Sequence, residues 1–194
     1  MKKILLLLAN GFEIYEASVF IDVMGWDKTY GSKNIELQTC AITKQVTSTF
    51  GVKLEVDLLL NEINVADFDA LAIPGGFEDF NFYQDAYSID FQNIIKAFYN
   101  QNKLISTICV AALALGKSGV LQNKCATTYN LMGGKRQKQL KEFGVDVINK
   151  PIVQSETITT SWSPVTAIDV AFKLLQDLSN KENMLYIKSI MGFE

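Results

Sequence analysis

Apolar residues along the chain alternate between short continuous runs and longer segments in which they recur every three or four positions. The continuous runs predict strands of a parallel sheet that is covered on both faces. The segments with helical spacing predict the helices that cover it. The predicted strands are 3–9, 36–42, 69–76 and 104–108, and the predicted helices are 14–24, 88–99 and 109–119. Repeated strand–helix units of this kind indicate an α/β fold with a mostly parallel sheet.

The remaining segments fit the same fold class. Residues 45–57 are rich in β-branched residues and have a glycine in the middle, which predicts a hairpin or two short edge strands. The segment IVQSETITTS (152–161) alternates between apolar and polar positions, as one strand would. Further elements are predicted as short strands at 125–128 and 145–148, a polar helix at 136–143 and helical structure over the last 30 residues. Without a linker or repeat, the chain is expected to form one domain, 1–194.

Composition and charge narrow the class of protein. Hydrophobic residues make up 48% and charged residues 20% of the 194 residues, and the net charge is −3. A balance of this kind is typical of a soluble globular protein, and without a basic block we expect no nucleic-acid partner. No apolar run approaches the roughly 18 residues of a membrane span. The N-terminal KKILLLLA is too short for a signal peptide and is followed directly by Asn10, so we expect a buried strand and a cytoplasmic protein.

The cysteine and histidine counts exclude several kinds of site. The three cysteines, Cys40, Cys109 and Cys125, are odd in number and widely spaced, which argues against a disulfide framework or a metal site. The chain contains no histidine, so neither a cysteine nor a serine nucleophile has an imidazole base. No GxGxxG motif follows the first strand, and no cofactor is predicted.

Three predicted strands end in residues with unusual chemistry. The first is followed by Glu13 and Glu16, the strand at 69–76 ends in Gly75 and Gly76, and the strand at 104–108 leads directly into Cys109. The carboxyl ends of parallel strands lie at one edge of the sheet, where ligands bind in open α/β folds. The sequence therefore predicts that these three loops meet.

Cys109 is predicted to lie at a turn between a strand and a helix. The free N–H groups and the dipole at the start of that helix would stabilise a thiolate and lower the pKa of the thiol. A buried core cysteine is the alternative, because free cysteine is among the most buried residue types.

Glu16 lies in the first turn of its helix, and a carboxyl group close to a thiolate would have a raised pKa. In its protonated form it could donate a hydrogen bond to sulfur and transfer protons. The alternative interpretation is that Glu16 is a surface residue, since acidic side chains are favoured in the first turn of a helix. Glu13 is expected to act as a helix cap.

Four segments, taken together and in order, resemble motifs of the ThiJ/PfpI family, in particular its DJ-one-like branch of cysteine proteins. They are GFEIYEA at 11–17, AIPGG at 72–76, ISTICVAA at 105–112 and SPVTAID at 163–169. The resemblance implies a flavodoxin-like three-layer sandwich and a homodimer. It covers nearly the whole chain.

The resemblance also implies roles for individual residues. Cys109 corresponds to the family's cysteine at the turn, and Glu16 to the carboxyl group that contacts its sulfur. Gly76 and Val110 correspond to the residues whose backbone N–H groups form the oxyanion pocket. The remaining pocket residues would be Gly75, Thr128 and Tyr129. Tyr129 lies in the segment where some members carry a histidine, so the cysteine–histidine apparatus of the peptidase branch is not expected here.

Two hypotheses of different classes follow. The first is a glyoxalase- or deglycase-like enzyme acting on small reactive carbonyls or on their adducts with proteins, with Cys109 as nucleophile and Glu16 as acid and base. The alternative is a redox-responsive oxidative-stress sensor or chaperone-like binding protein in which Cys109 is oxidised to sulfinate. A scaffold that has lost its activity is a third possibility.

Overall fold

The computed structural model describes residues 1–193 and contains a seven-stranded sheet with helices packed on both faces. In chain order the strands are β1 (Lys2–Leu7), β2 (Ile35–Ala41), β3 (Gln45–Thr47), β4 (Lys53–Glu55), β5 (Leu58–Leu59), β6 (Ala70–Ile73), β7 (Leu104–Thr107), β8 (Cys125–Ala126), β9 (Asp146–Val147), β10 (Ile152–Ser155) and β11 (Ile158–Ser161). The helices are α1 (Ile14–Tyr30), α2 (Phe82–Ala86), α3 (Ile89–Asn100), α4 (Ala111–Ser118), α5 (Lys135–Glu142), α6 (Ala167–Leu178) and α7 (Lys181–Ile190).

The strand order of the main sheet is β10-β11-β7-β6-β1-β2-β5. All neighbouring strands run parallel except β10 and β11, which form an antiparallel pair. Helix α1 packs against α6 and α7, whereas α4 packs against α3 and α5, so two groups of helices enclose the sheet. The predicted flavodoxin-like three-layer fold with a mostly parallel sheet is confirmed.

The middle of the sheet is the most deeply buried part of the core. Residues Ile4 to Leu7 of β1 are 0% exposed, as are all four residues of β6. A central parallel strand carries helices on both faces, which explains why β1 is apolar at successive positions instead of alternating.

The prediction of one strand over 152–161 was wrong, because this segment forms the β10–β11 hairpin. The chain turns at Glu156, whose φ of 54° lies in the left-handed region. The alternating pattern continues through the turn, and the turn contains neither glycine nor proline, so no local signal separated the two strands. The predicted hairpin near residue 51 is present as the antiparallel pair β3 and β4.

Two helical predictions differed in extent. Helix α1 continues to Tyr30, well beyond the predicted end at residue 24. The C-terminal helical segment is divided between α6 and α7, where Asn180 accepts a hydrogen bond from the backbone of Asn183 and begins the second helix. Among residues 1–193, the structure contains no helix with the length and apolarity needed to cross a bilayer.

Strands β1, β6 and β7 are adjacent in the sheet. Because they run parallel, the loops that follow them start at the same edge. The sheet thus brings together Gly75, Cys109 and the first turn of α1, which carries Glu16.

Candidate active site

Cys109 occupies a strained turn between β7 and α4. Its φ of 56° lies in the left-handed region, which residues other than glycine rarely adopt. The Thr128 hydroxyl donates a hydrogen bond of 2.9 Å to the Cys109 carbonyl oxygen, and the Ala111 N–H donates one of 3.1 Å to the Ile108 carbonyl. Such strain persists only where the surrounding structure fixes the backbone, and it is concentrated at functional sites.

Glu16 faces the thiol of Cys109 from the first turn of α1. The side chain is 0% exposed, and its Oε2 accepts a hydrogen bond of 2.7 Å from the Gly75 N–H. Its other carboxyl oxygen, Oε1, has no hydrogen-bond partner among the residues that the structure describes. A buried carboxyl oxygen without a partner is costly unless it carries a proton or meets a ligand.

Gly75 is the point at which the three loops come closest. A Cβ atom at this position would lie 3.0 Å from Glu16 Oε2, 3.0 Å from the Ile108 carbonyl oxygen and 3.1 Å from the Cys109 Cβ. The absence of a side chain therefore lets the carboxyl group and the thiol approach each other.

Burial raises the pKa of Glu16 to about 8, the negative charge of Glu13 adds to this, and the Gly75 N–H opposes it. The predicted raised pKa of this carboxyl group agrees with this direction. The pKa of Cys109 is also raised, first by burial and then by the charge on Glu16, while the Val110 N–H acts in the opposite direction.

The expectation of a lowered thiol pKa was therefore wrong. Cys109 is only 6% exposed, so the loss of hydration and the repulsion by Glu16 outweigh the field of the N–H group. The carboxyl group and the thiol form one coupled pair, and we expect the pair to lose its first proton near the raised pKa of Glu16, about 8.

A cavity of about 510 Å³ opens onto Cys109 and is lined also by Gly76, Val110 and Tyr129. The bridge between Phe12 and Gly76 joins the first two loops and leaves the Gly76 N–H without a backbone acceptor among residues 1–193. The Val110 N–H, at the start of α4, likewise has no oxygen acceptor in the described part of the chain. The Gly76 N–H is therefore available to an oxyanion, whereas the Val110 N–H already interacts with the thiol of Cys109.

Two residues predicted to line the pocket lie elsewhere. Thr128 is fully buried behind the Cys109 backbone, and Gly75 contacts Glu16, so neither lines the cavity. Both residues support the site through hydrogen bonds, Thr128 to the Cys109 carbonyl oxygen and Gly75 to the Glu16 carboxyl group.

Sequence reasoning missed the charged wall of the cavity. Glu13 is at the N-cap position of α1 but makes no capping hydrogen bond with its side chain, contrary to expectation, and it lines the cavity instead. Glu78 pairs with Arg136 at 2.8 Å and with Lys135 at 3.1 Å. The only sequence signal for a role of Glu78 was its position directly after the PGGF turn. Lys135 and Arg136 belong to α5, and only the tertiary fold brings this helix to the cavity.

The lining of the cavity also includes the apolar residues Phe77, Leu131, Met132 and Pro164. Within residues 1–193, no group of three or more acidic, cysteine or histidine side chains is arranged to hold a metal ion. The cavity is thus lined by Cys109, Gly76 and Val110, and the Glu16 carboxyl group lies buried beside the thiol without lining the cavity.

The sequence profile of the DJ-1/PfpI family matches residues 2–177. The chain belongs to the DJ-1/PfpI family. This match agrees with the resemblance noted from the sequence motifs, and it covers every residue of the site described above.

Individual family members match this chain over different lengths. "Protein DJ-1 homolog A" of Arabidopsis thaliana is 28% identical over 191 residues, which are 98% of this chain and 46% of that protein. The chain thus spans less than half the length of this relative. "Glutathione-independent glyoxalase DJ-1" of Schizosaccharomyces pombe is 36% identical over 92 residues, 47% of this chain and 46% of that protein.

The structure titled "Toxoplasma gondii DJ-1, oxidized" superposes with a TM-score of 0.82 at 26% identity, and covers 100% of this chain and 99% of that one. The DJ-1/PfpI fold therefore extends over the full described chain. Family membership by itself does not fix an activity, because one fold supports several chemistries.

Proposed function

We propose that this protein is a cysteine-dependent enzyme that acts on small reactive carbonyls such as methylglyoxal, or on their early adducts with proteins. The observation that carries the proposal is the buried carboxyl group of Glu16, which interacts with the thiol of Cys109 and has one oxygen, Oε1, without a conventional hydrogen-bond partner in the described residues. The name of the glyoxalase relative from Schizosaccharomyces pombe supports the same activity class.

The first step is the addition of sulfur to the aldehyde carbon. Glu16 and Cys109 share one proton once the pair has lost its first, and the form with a thiolate and a protonated carboxyl group is the nucleophile. The Sγ–C bond forms as the carbonyl π bond breaks, and the N–H groups of Gly76 and Val110 stabilise the new oxyanion. Glu16 then gives its proton to this oxygen, which yields a hemithioacetal.

The second step moves a proton between the two substrate carbons. The Glu16 carboxylate removes the proton from the carbon bonded to sulfur, which gives an enediolate as the hydroxyl proton passes to the neighbouring oxygen, and it returns its proton to the neighbouring carbon. The oxygen on the carbon bonded to sulfur is then a carbonyl oxygen, and the hemithioacetal has become a thioester. Water then hydrolyses the thioester, so methylglyoxal and water give lactate and the thiol is regenerated. None of these steps requires a histidine.

The test is methylglyoxal consumption by the wild type and by the variants Cys109→Ser and Glu16→Gln, with lactate measured as the product. We expect each variant to lose at least about 100-fold in rate, the usual contribution of a nucleophile or a positioned acid–base group. Cys125→Ser is the matched control, because Cys125 is exposed and outside the cavity. The proposal fails if the wild type is no faster than the two site variants.

A second candidate is a redox-responsive protein in which Cys109 is oxidised to sulfinate. Two observations favour it: the unpartnered Glu16 Oε1 could donate a hydrogen bond to a sulfinate oxygen, and the Toxoplasma gondii relative is titled as oxidized. Mild peroxide followed by peptide mass spectrometry in a Cys125→Ser background tests this. Addition of two oxygen atoms at Cys109 is expected, and preferential oxidation of Cys40 would exclude it.

A further inference from the structure

The two cations of the cavity are paired with the same carboxylate. Glu78 accepts a hydrogen bond of 2.8 Å from Arg136 and one of 3.1 Å from Lys135. The hydrogen bond with Arg136 is the largest cause of a lowered pKa of Glu78, so this carboxyl group is ionised at neutral pH. One carboxylate is thus shared by two cations at the entrance to Cys109.

Arg136 is held in the cavity independently of Glu78. Its guanidinium carbon lies 5.1 Å from the centre of the Tyr83 ring, and its Nη1 donates a hydrogen bond of 2.9 Å to Gln139. The side chain is only 16% exposed. We therefore expect the guanidinium group to stay at the cavity wall when Glu78 loses its charge.

Two further carboxylates leave the cavity with an excess of negative charge. Glu13 and Asp79 line the cavity and have no ion-pair partner among residues 1–193. The charge of Glu13 reaches the reacting groups, since it raises the pKa of both Glu16 and Cys109. An anionic compound entering the cavity meets these carboxylates while the two cations are already paired.

We infer that Glu78 determines specificity: it pairs with Arg136 and Lys135 and, together with Glu13 and Asp79, leaves the cavity with a net negative charge. The cavity therefore selects uncharged carbonyl compounds and excludes those with a carboxylate, such as oxo acids. This inference rests on the proposed function and names its substrate class. The same charge pattern favours release of an anionic hydroxy-acid product from the cavity.

The test compares the alkylation of Cys109 by iodoacetamide and by iodoacetate. In both reactions an Sγ–C bond forms, the C–I bond breaks, iodide leaves and the thiol proton passes to solvent. The two reagents share the reacting carbon and the leaving group, and they differ by one negative charge. Cys125→Ser serves as the background, because the exposed Cys125 would otherwise react. Free cysteine in the same buffer gives the intrinsic preference between the reagents.

We expect the ratio of the iodoacetate rate to the iodoacetamide rate to be lower for Cys109 in the background protein than for free cysteine. Glu78→Gln should raise the iodoacetate-to-iodoacetamide ratio about tenfold at low salt, as expected for one charge near the reaction path. Added salt should reduce this change. In the double variant Glu78→Gln/Arg136→Gln the ratio should fall back towards the background value.

Glu182→Gln is the matched control, because it removes the same charge from an exposed position on α7 that does not line the cavity. Its ratio should equal that of the background protein. The inference is overturned if Glu78→Gln leaves the ratio unchanged, or if the background protein discriminates no more than free cysteine. Alkylation does not depend on turnover, so this result stands apart from the methylglyoxal assay. A shifted ratio without methylglyoxal consumption would reject the proposed function and retain the charge selection.

Discussion

The Thr128 hydroxyl donates a hydrogen bond of 2.9 Å to the carbonyl oxygen of Cys109 and thereby holds the strained backbone of the nucleophile. Thr128→Val preserves the shape of the side chain and removes the donor. We expect a loss of about 1–3 kcal/mol in the free energy of unfolding, the usual cost of an unsatisfied buried polar group. We also expect slower alkylation of Cys109, because the turn is free to relax. Urea unfolding and iodoacetamide kinetics measure the two effects.

Thr128→Ser is the control for this change, since it keeps the hydroxyl group and should stay close to the wild type in alkylation rate. If the valine variant alkylates Cys109 at the wild-type rate, the hydrogen bond does not position the nucleophile.

The pH dependence of Cys109 alkylation should carry the signature of the coupled pair. As pH rises, the rate should increase until the pair loses its first proton near the raised pKa of Glu16, about 8, and then level off because the Glu16 carboxylate opposes a second ionisation. In Glu16→Gln no carboxylate forms, so the rate should continue to rise above that pH. Iodoacetamide kinetics in a Cys125→Ser background provide both profiles, and identical profiles would contradict coupling.

The raised pKa of Glu16 also predicts how stability changes with pH. Burial lifts the pKa from 4.5 to about 8, so between these values the folded state keeps a proton that the unfolded state loses. The contribution of Glu16 to stability is thus fully present below the lower value and is lost as pH rises. Relative to Glu16→Gln, the free energy of unfolding of the wild type should fall by up to about 1.4 kcal/mol per pH unit in this window. Urea titrations across the window measure it, and a constant difference would contradict it.

Two glycines should respond in opposite directions to alanine. Gly75→Ala places a methyl group about 3 Å from Glu16 Oε2 and the Ile108 carbonyl, so we expect a loss of about 1–3 kcal/mol and impaired Cys109 reactivity. Gly25 lies inside α1 with nothing within 4 Å of the position of a Cβ atom, so Gly25→Ala should stabilise by about 0.5–1 kcal/mol. Thermal unfolding compares the two. A neutral Gly75→Ala would show that the loops do not need this close approach.

The last helix is attached to the first by a buried carboxylate. Asp27 is 0% exposed and accepts hydrogen bonds from the Asn183 side chain at 2.6 Å and from the Ser32 N–H at 3.0 Å. Asn183→Ala removes one of these donors from a buried charge, and we expect a loss of about 2–3 kcal/mol in the free energy of unfolding. Exposed Glu182→Ala, one position earlier on the same helix, should change it by less than about 0.5 kcal/mol. Equal effects of the two variants would contradict a structural role of the Asp27 contact.

Much of the fold could be predicted because its signals are local. The uniformly apolar β1 and the helical spacing of α3 each follow from which faces of an element are covered. The β10–β11 hairpin could not be predicted, because its turn at Glu156 uses a left-handed residue other than glycine and leaves the alternation intact.

The candidate site shows the same division. The strand-to-helix turn at Cys109 and the glycine pair at 75–76 are visible in the sequence, and the parallel topology was enough to predict that they meet. The roles of Glu13, Glu78 and Arg136 in the cavity could not be predicted. Arg136, the ion-pair partner of Glu78, lies on α5, and no local sequence pattern connects this helix with β6.

The sequence by itself determined the sheet, its edge and the residues that gather there, because strand burial and loop placement follow from the order of apolar and polar positions along the chain. Only the tertiary structure decided the protonation chemistry. The hydration of the Cys109 thiol and the charges near it depend on how closely the neighbouring segments pack around it. This burial and the charge of Glu16 raise the pKa of the thiol, although the start of the helix by itself would lower it.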